Sequence, residues 1–305
     1  MYLYHFGLRE LPFTLTPNTH FFLGLAPHNE ALQVLLTALK TGEGFIKVIG
    51  EVGTGKTLIC RKLLNDIPAH FFTAYIPNPI LKPDELRRAF AVELGIKQAQ
   101  QMSLQMLTEQ IHTRLVDIHR EGRSVVLILD EAQALPAESL EALRLFTNLE
   151  TETRKLLQVV LFAQPELDQR LAEKSFRQLK QRITFSYSLR PMTQQEVFEY
   201  ISHRMQMAGY EGNLLFDKKL SRKIAKVSRG IPRLVNILCH KMLMLSYGKG
   251  LYQVTPQQLN AAVIDTESIA NLSGVSYPNL VFFVVLGLSV ICYLAMLLLK
   301  NGVLL

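Results

Sequence analysis

The sequence predicts an α/β fold with a parallel sheet between two helical layers, followed by a small all-helical domain and a C-terminal transmembrane helix. Strand-like and helix-like runs alternate from residue 44 to 190, as in a parallel sheet with helical crossovers. Only helix-like runs follow between 193 and 264. The run 280–299 contains no charged residue and is long enough to cross a bilayer. A buried helix of a soluble protein is the alternative for this run, but such a helix normally keeps a polar stripe.

The individual elements of the α/β part are short apolar or amphipathic runs. The run 125–129 is unbroken Val, Leu and Ile, as in a strand covered on both faces. The run 183–189 alternates between polar and apolar residues, and 103–120 repeats apolar residues at steps of three and four. The predicted strands are 44–50, 71–76, 125–129, 156–163 and 183–189, and the predicted helices are 58–64, 83–94, 103–120 and 140–149.

The second domain is predicted to be entirely helical. Thr193, with Glu196 three residues later, forms a capping box at the start of its first helix. The predicted helices are 193–207, 217–228, 232–247 and 255–264. The organisation expected from these runs is an α/β domain with an N-terminal strap at 1–190, a helical lid at 191–265, a linker at 266–279, a transmembrane helix at 280–299 and a short tail at 300–305.

Composition narrows the class of protein only moderately. The 305-residue chain has a net charge of +7, spread so widely that it suits either nucleic acid or an anionic membrane surface. Cys60, Cys239 and Cys292 lie in separate apolar runs, which predicts buried thiols rather than a metal site or a disulfide. Arg9 and Glu10 interrupt the N-terminal apolar residues, so no signal peptide is expected there.

The most specific pattern is Gly50-x4-Gly55-Lys56-Thr57, between the first predicted strand and a helix-like run. Glycines let backbone N–H groups turn toward an anion, Lys56 can reach the β- and γ-phosphates, and the Thr57 hydroxyl can hold Mg²⁺. The pattern predicts a phosphate-binding loop for a nucleotide with magnesium. The residues expected to contact the nucleotide are Gly50, Glu51, Val52, Gly53, Thr54, Gly55, Lys56, Thr57 and Leu58.

Polar residues follow two of the later strands. Asp130 and Glu131 end the strand at 125–129, where Asp130 can hold Mg²⁺ and Glu131 can polarise the attacking water. Gln164 follows the strand at 156–163. Its side chain can touch the γ-phosphate or the attacking water, with an ordinary polar turn as the alternative.

Three arginines are candidates for pairing with phosphate oxygens. Arg233 follows Pro232 at a helix start, so its direction is defined and it can reach back over the nucleotide. Arg177 and Arg182 precede the strand at 183–189, and either can project into a neighbouring subunit as an arginine finger or be a surface arginine.

The N-terminal strap is unusually aromatic. Phe6, Phe13, Phe21 and Phe22 precede the first strand and are expected either to pack beside an adenine ring or to fill a hydrophobic groove of the protein itself. His28 has the same two interpretations and is retained as a candidate nucleotide contact.

Together these features resemble the AAA+ ATPases, and the longer strings resemble the ExeA/GspA-type secretion ATPases. Size and the late membrane segment are most similar to the MshM-type proteins of type IV (MSHA) pilus clusters. The strings that carry the resemblance are Tyr4-His-Phe-Gly-Leu-Arg-Glu-Leu-Pro-Phe-Thr-Leu-Thr-Pro-Asn18, His28-Asn-Glu-Ala-Leu32, Glu51-Val-Gly-Thr-Gly-Lys-Thr57, Leu129-Asp-Glu-Ala-Gln133, Leu143-Arg-Leu-Phe-Thr-Asn-Leu-Glu150, Gln164-Pro-Glu-Leu167, Gln178-Leu-Lys-Gln-Arg182 and Gly230-Ile-Pro-Arg233.

The resemblance implies roles for these residues. It places Lys56 and Thr57 in Walker A, and Asp130 and Glu131 in Walker B. It also places Gln164 at sensor 1 and Arg233 at sensor 2, while either Arg177 or Arg182 corresponds to the finger. Relatives that remodel the cell wall carry a peptidoglycan-binding domain after the membrane helix; here only Lys300–Leu305 follow, so direct peptidoglycan binding is not expected.

The resulting hypothesis is a membrane-anchored ATPase that uses ATP and Mg²⁺ to drive a cell-envelope assembly, either a type IV (MSHA) pilus or a type II-like secretion complex. It is expected to act as a homo-oligomeric ring at the bacterial inner membrane, with the ATPase domain in the cytoplasm. A DNA-associated regulator of the transposition or replication type is a second hypothesis, with nucleic acid the less expected partner. A nucleotide-gated adaptor with little hydrolysis is the third.

Overall fold

The computed structural model describes residues 2–146 and 155–266, and a parallel sheet lies at its centre. The strands are β1 Phe45–Gly50, β2 Phe71–Ile76, β3 Ser124–Leu129, β4 Leu157–Ala163 and β5 Ile183–Leu189. Their order across the sheet is β2-β3-β4-β1-β5, and every neighbouring pair is parallel. Because each crossover contains helix, the chain returns to the same edge of the sheet before each new strand.

The helices of the described residues fall into those before, between and after the strands. They are α1 Tyr2–Phe6, α2 Ala26–Lys40, α3 Lys56–Asp66, α4 Pro83–Glu93, α5 Leu104–Arg120, α6 Ala137–Phe146, α7 Glu166–Leu171, α8 Arg177–Arg182, α9 Gln194–Met207, α10 Lys218–Ser228, α11 Pro232–Gly248 and α12 Pro256–Ile264.

The sheet separates two hydrophobic clusters, which confirms the predicted three-layer architecture. Ile46 and Val48 of β1 pack with α2 and α3 on one face. Phe45 and Ile49 of the same strand point the other way, into the cluster formed with α4 to α8. Alternate residues of a strand face opposite sides of a sheet, so a strand covered on both faces must be apolar throughout, as β3 and β4 are.

The helical domain α9–α12 has its own hydrophobic cluster, and the N-terminal strap belongs to it. Phe6, Phe13 and Phe21 are buried there with residues of α9, α10 and α11. The sequence grouped the strap with the α/β domain because it precedes the first strand. In the structure its aromatic side chains lie instead among the lid residues, since the lid supplies the apolar surface that they need to leave water.

The junction between the two parts is closely packed. Arg190, after β5, pairs with Glu196 of α9 through two hydrogen bonds of 2.8 Å. Glu196 also accepts from the Thr193 backbone N–H, which confirms the predicted capping box. Gly230 has φ +72°, and a Cβ there would lie 2.0 Å from the Met192 carbonyl oxygen. Only glycine fits at position 230, where the backbone passes close to that of Met192.

The strand predictions agree with the structure to within a residue or two. Helices α1, α2, α7 and α8 were not predicted, although α2 covers much of one sheet face. The linker 266–279 beyond Thr266, the predicted transmembrane run 280–299 and Cys292 lie outside the described residues. Among the residues that are described, none of the helices combines the length and apolar character needed to span a bilayer.

Candidate active site

Three strand ends place the candidate residues along one edge of the sheet. The phosphate loop follows β1, Asp130 and Glu131 follow β3, and Gln164 follows β4. Because β4 lies between β3 and β1, Gln164 lies between the carboxylates and the loop. The carboxyl edge of a parallel sheet is the usual position of a ligand site.

The loop itself has the backbone geometry of an anion cradle. Gly53 and Gly55 have φ of +82° and +104°, which L side chains rarely adopt. Helix α3 begins directly afterwards at Lys56, so its unpaired N–H groups face the loop. The Lys56 ammonium is buried and donates to the carbonyls of Gly50 (2.7 Å) and Glu51 (3.0 Å). Burial lowers the pKa of Lys56, and nearby carboxylates, Glu131 first among them, oppose that shift.

His28 packs against this loop and hydrogen-bonds its backbone. It is buried, and its Nε2 donates to the Thr54 carbonyl at 3.3 Å. A Cβ on Gly55 would lie 3.3 Å from the same nitrogen. Burial lowers the pKa of His28, so the neutral ring is favoured. His28 does not line the pocket described below, so its contact is with the loop backbone and not with the pocket interior.

Asp130 and Thr57, which the sequence predicts as metal ligands, lie next to each other. The Thr57 hydroxyl hydrogen-bonds the buried Asp130 carboxylate, which also accepts from the Glu131 backbone N–H at 3.0 Å. Burial raises the pKa of Asp130, and these two hydrogen bonds counteract it. A hydroxyl beside a carboxylate at the loop is the donor set that Mg²⁺ takes in nucleotide sites.

Glu131 is held by two glutamine side chains. Its backbone is left-handed (φ 56°), and its Oε2 accepts from Gln133 Nε2 at 2.5 Å and Gln164 Nε2 at 3.0 Å. Gln133 Oε1 in turn accepts from the Gln164 backbone N–H at 3.0 Å. The three side chains therefore form one network across the ends of β3 and β4. No pattern in the sequence predicts a role for Gln133, although it lies two positions after Glu131.

The lid touches the loop directly. The Arg233 backbone N–H donates to the Gly53 carbonyl at 3.2 Å, and a Cβ on Gly53 would lie 2.5 Å from the Arg233 Cβ. Helix α11 begins at Pro232, as the sequence predicted, and Arg233 in its first turn therefore lies next to the loop.

A pocket of about 190 Å³ lies between the α/β core, the lid and the strap. Its walls include most of the predicted site residues together with lid and strap residues that the sequence analysis did not select. The lining comprises Thr14, Leu15, Thr16, Pro17, Asn18, Val52, Gly53, Gly55, Lys56, Thr57, Leu58, Glu131, Gln164, Tyr200, Arg204, Pro232, Arg233 and Asn236. Of the two interpretations of the strap aromatics, the packing favours the hydrophobic groove: none of Phe6, Phe13, Phe21 and Phe22 lines this pocket.

Arg177 and Arg182 lie away from the pocket. Arg177 is exposed at the start of α8, and Arg182, at its end, approaches the Arg144 carbonyl at 3.5 Å. Neither lines the pocket of its own chain, and the choice of finger stays open. Within residues 2–146 and 155–266 no group of His, Cys, Asp and Glu side chains suits a separate metal ion, and Cys60 and Cys239 are free, buried thiols as expected.

Comparisons with known proteins find relatives of the same fold class. Residues 39–171 match a family model described as "AAA domain". The chain is 39% identical over 269 residues to "General secretion pathway protein A" of Aeromonas hydrophila, an alignment that covers 88% of this chain and 49% of that protein. The chain thus spans about half the length of the curated relative that it matches.

Two solved structures have a similar fold at low sequence identity. The Aeropyrum pernix ORC2 protein (ADPNP-ADP complexes) superposes with a TM-score of 0.62 at 15% identity, covering 86% of this chain and 75% of that one. Cdc6p from Pyrobaculum aerophilum superposes with a TM-score of 0.61 at 18% identity, covering 81% and 70%. Residues 39–171, with the loop at Gly50–Thr57, are thus similar to an AAA domain, and the parallel-sheet fold is shared with these two structures.

Proposed function

We propose that this protein is a membrane-anchored ATPase that couples Mg²⁺-dependent ATP hydrolysis to assembly of a cell-envelope machine. The observation that carries the hydrolytic part is that Lys56, Thr57, Glu131, Gln164 and Arg233 line one pocket. Asp130 stands directly behind Thr57. A phosphate cradle, a metal-binding pair and a polarising carboxylate are the parts that phosphoryl transfer to water requires.

Each residue of the candidate site has a separate role in the proposed reaction. The loop N–H groups and Lys56 hold the β- and γ-phosphates, and Arg233 pairs with a phosphate oxygen from the lid side. Thr57 and Asp130 would hold Mg²⁺, which would neutralise part of the charge that develops on the phosphate oxygens. Glu131 accepts the proton of the attacking water as a general base. Hydrogen bonds from Gln133 and Gln164 keep its carboxylate in place. His28 keeps the loop in shape through Thr54. One of Arg177 and Arg182 completes a neighbour's site in a ring.

Two substitutions separate binding from hydrolysis. Lys56→Ala removes the phosphate contact, so nucleotide binding is expected to be lost. Glu131→Gln keeps the hydrogen-bonding shape but cannot take a proton, so it is expected to bind ATP with a kcat at least ~100-fold lower. Fluorescent-nucleotide binding and phosphate release on the full chain give both values. If both variants bind ATP alike, or if Glu131→Gln turns ATP over at the wild-type rate, these roles are wrong.

Membrane anchoring and the envelope partner rest on other support. The run 280–299 carries no charge, and the similar Aeromonas protein is named for general secretion. We expect the full chain to remain in the membrane fraction after alkaline extraction, and a chain lacking 280–299 to be released. Capture of partners by full-length Glu131→Gln in membranes tests whether a secretion complex or a type IV pilus assembly is the target. Recovery of no envelope component with ATP would argue against both.

A DNA-associated role is the second candidate, and helix α10 is the observation that favours it. The helix contains no acidic residue and exposes Lys219, Arg222, Lys223 and Lys226 on its outer face. Such a face suits a phosphate backbone. Duplex DNA that binds with a steep salt dependence and stimulates ATP hydrolysis would favour this role. A variant with Lys223 and Lys226 changed to Gln should then lose both effects. A third candidate, an adaptor that binds ATP without hydrolysis, is decided by the same turnover assay.

A further inference from the structure

Arg204 is a buried arginine in the lid that the hydrolytic roles above do not use. It lies on the inner face of α9 with Val197, Ile201 and Met205, and is only 5% exposed. A guanidinium in such a position is costly unless its N–H groups find acceptors.

Part of Arg204 is engaged by the strap and by its own helix. Its Nε donates to the Pro12 carbonyl at 2.5 Å, and its Nη1 donates to the Tyr200 hydroxyl at 2.9 Å. Its guanidinium carbon lies 4.7 Å from the centre of the Phe21 ring. These contacts fix the plane of the guanidinium, so the direction of the remaining donors is also fixed.

The remaining nitrogen, Nη2, is buried and has no hydrogen-bond partner among the residues that the structure describes. Arg204 nevertheless lines the pocket, next to the strap residues Thr14–Asn18 and the lid residues Tyr200 and Asn236. A buried donor without an acceptor is rare in folded proteins, and in a residue that lines a pocket it suggests an acceptor on a ligand.

The surroundings of Arg204 are tied together as a unit. Tyr200 donates to Asn236 Oδ1 at 3.1 Å, and Asn236 Nδ2 donates to the Thr14 carbonyl at 3.2 Å. From the α/β core, Arg61 donates to the Pro17 carbonyl at 2.6 Å. Both domains therefore hold the strap segment beside the pocket. Phosphate binding already has Lys56, Thr57 and Arg233, which leaves the strap end of the pocket for the rest of the nucleotide.

We propose that Arg204 Nη2 donates a hydrogen bond to the nucleoside part of the bound nucleotide, either to a ring nitrogen of the base or to a ribose oxygen. This assignment rests on the proposed nucleotide site and adds a specificity-determining residue to it. Because Arg204 also holds Pro12, it links occupation of the pocket to the docking of the strap on the lid.

Analogues that each lack one acceptor test the proposal on the wild-type full chain. Competition binding compares ATP with its 1-, 3- and 7-deaza forms, its 2′- and 3′-deoxy forms and inorganic triphosphate. One nucleoside analogue is expected to bind about tenfold more weakly than ATP, because it leaves the buried donor unpaired. A deaza form identifies the base as the acceptor, and a deoxy form identifies the ribose. If all five nucleoside analogues bind within twofold of ATP, the proposal is overturned without any variant having to fold.

Arg204→Lys completes a double-mutant cycle with the analogues, and Arg120→Lys at the exposed end of α5 is the matched control. The lysine can still reach the Pro12 carbonyl but lacks the second arm of the guanidinium. The variant is expected to bind ATP about tenfold more weakly, with no further loss for the sensitive analogue. Purely additive losses, or an equal loss for inorganic triphosphate, would overturn the proposal. A wild-type chain that binds no ATP rejects the nucleotide site itself, whereas ATP binding without analogue discrimination rejects only the role of Arg204.

Discussion

Replacing Gln133 by Ala tests whether Glu131 must be held in place for hydrolysis. The backbone at Gln133 is fixed independently, because Arg170 donates to the carbonyls of Gln133 (2.8 Å) and Leu135 (2.7 Å). The substitution therefore removes only the side-chain amide. Gln133 Nε2 donates one of the two hydrogen bonds that Glu131 Oε2 accepts. Gln133 Oε1 accepts a hydrogen bond from the backbone N–H of Gln164 and so helps to position that residue.

The size of the effect follows from the type of bond. A hydrogen bond to a charged group contributes about 1.5–3 kcal/mol, and each ~1.4 kcal/mol changes a rate tenfold. If the bond serves to orient the carboxylate toward water, kcat is expected to fall by about 10- to 100-fold. The Kd for ATP should be unchanged, since Gln133 does not line the pocket.

Steady-state ATP hydrolysis and fluorescent-nucleotide binding on the full chain give the two quantities. The matched control is Gln195→Ala, which removes a similar amide-to-carboxylate bond, 2.8 Å from Gln195 to Glu199, on the exposed face of α9. The control should leave both quantities at their wild-type values. A kcat for Gln133→Ala within twofold of wild type, or a Kd that rises as far as kcat falls, would refute the reasoning.

Two further predictions concern the junction between core and lid. Gly230→Ala is expected to lower the free energy of unfolding by about 3 kcal/mol or more, because its Cβ would clash with the Met192 carbonyl. Gly122 also has a positive φ (+78°), but no described atom lies within 4 Å of where its Cβ would be, so Gly122→Ala should lose only about 1–2 kcal/mol. Denaturant titration compares the two variants, and equal losses would refute the clash at Gly230. Glu196→Gln should cost about 1 kcal/mol at neutral pH. The bond from Arg190, the main cause, lowers the pKa of Glu196 to about 2, so its stabilisation is present above its unfolded-state pKa and lost as pH falls through the folded one. The deficit of the variant should therefore shrink between about pH 4.5 and about pH 2, and a deficit that is constant over that window would contradict the ion pair as its source.

Much of the site was predictable because its chemistry follows strand ends. Lys56 and Thr57 follow β1, the carboxylates follow β3, and Gln164 follows β4; all three positions lie at one edge once the strands are parallel. Helix α2 was missed because its start carries no side-chain cap: Leu25 precedes it, with Pro27 in the first turn. Gln133 was missed because its role depends on where Gln164 lies, which no local pattern reveals.

The position of Arg204 on an apolar helix face is recognisable in the sequence, whereas its contacts are not. An arginine at the spacing of Val197, Ile201 and Met205 on an apolar helix face is a visible anomaly in the sequence. Its partners, Pro12 and Tyr200, and the pocket that Arg204 helps to line appear only when the strap packs on the lid.

By itself the sequence determined the strands, the phosphate loop and the carboxylates, because backbone propensity and strand-end position are properties of consecutive residues. The tertiary structure alone decided that the strap packs with the lid, that Arg233 touches the loop at Gly53, and that Gln133 and Gln164 share the Glu131 carboxylate. Those contacts join residues far apart in the chain. They depend on hydrophobic burial between whole elements, which has no fixed spacing in the sequence.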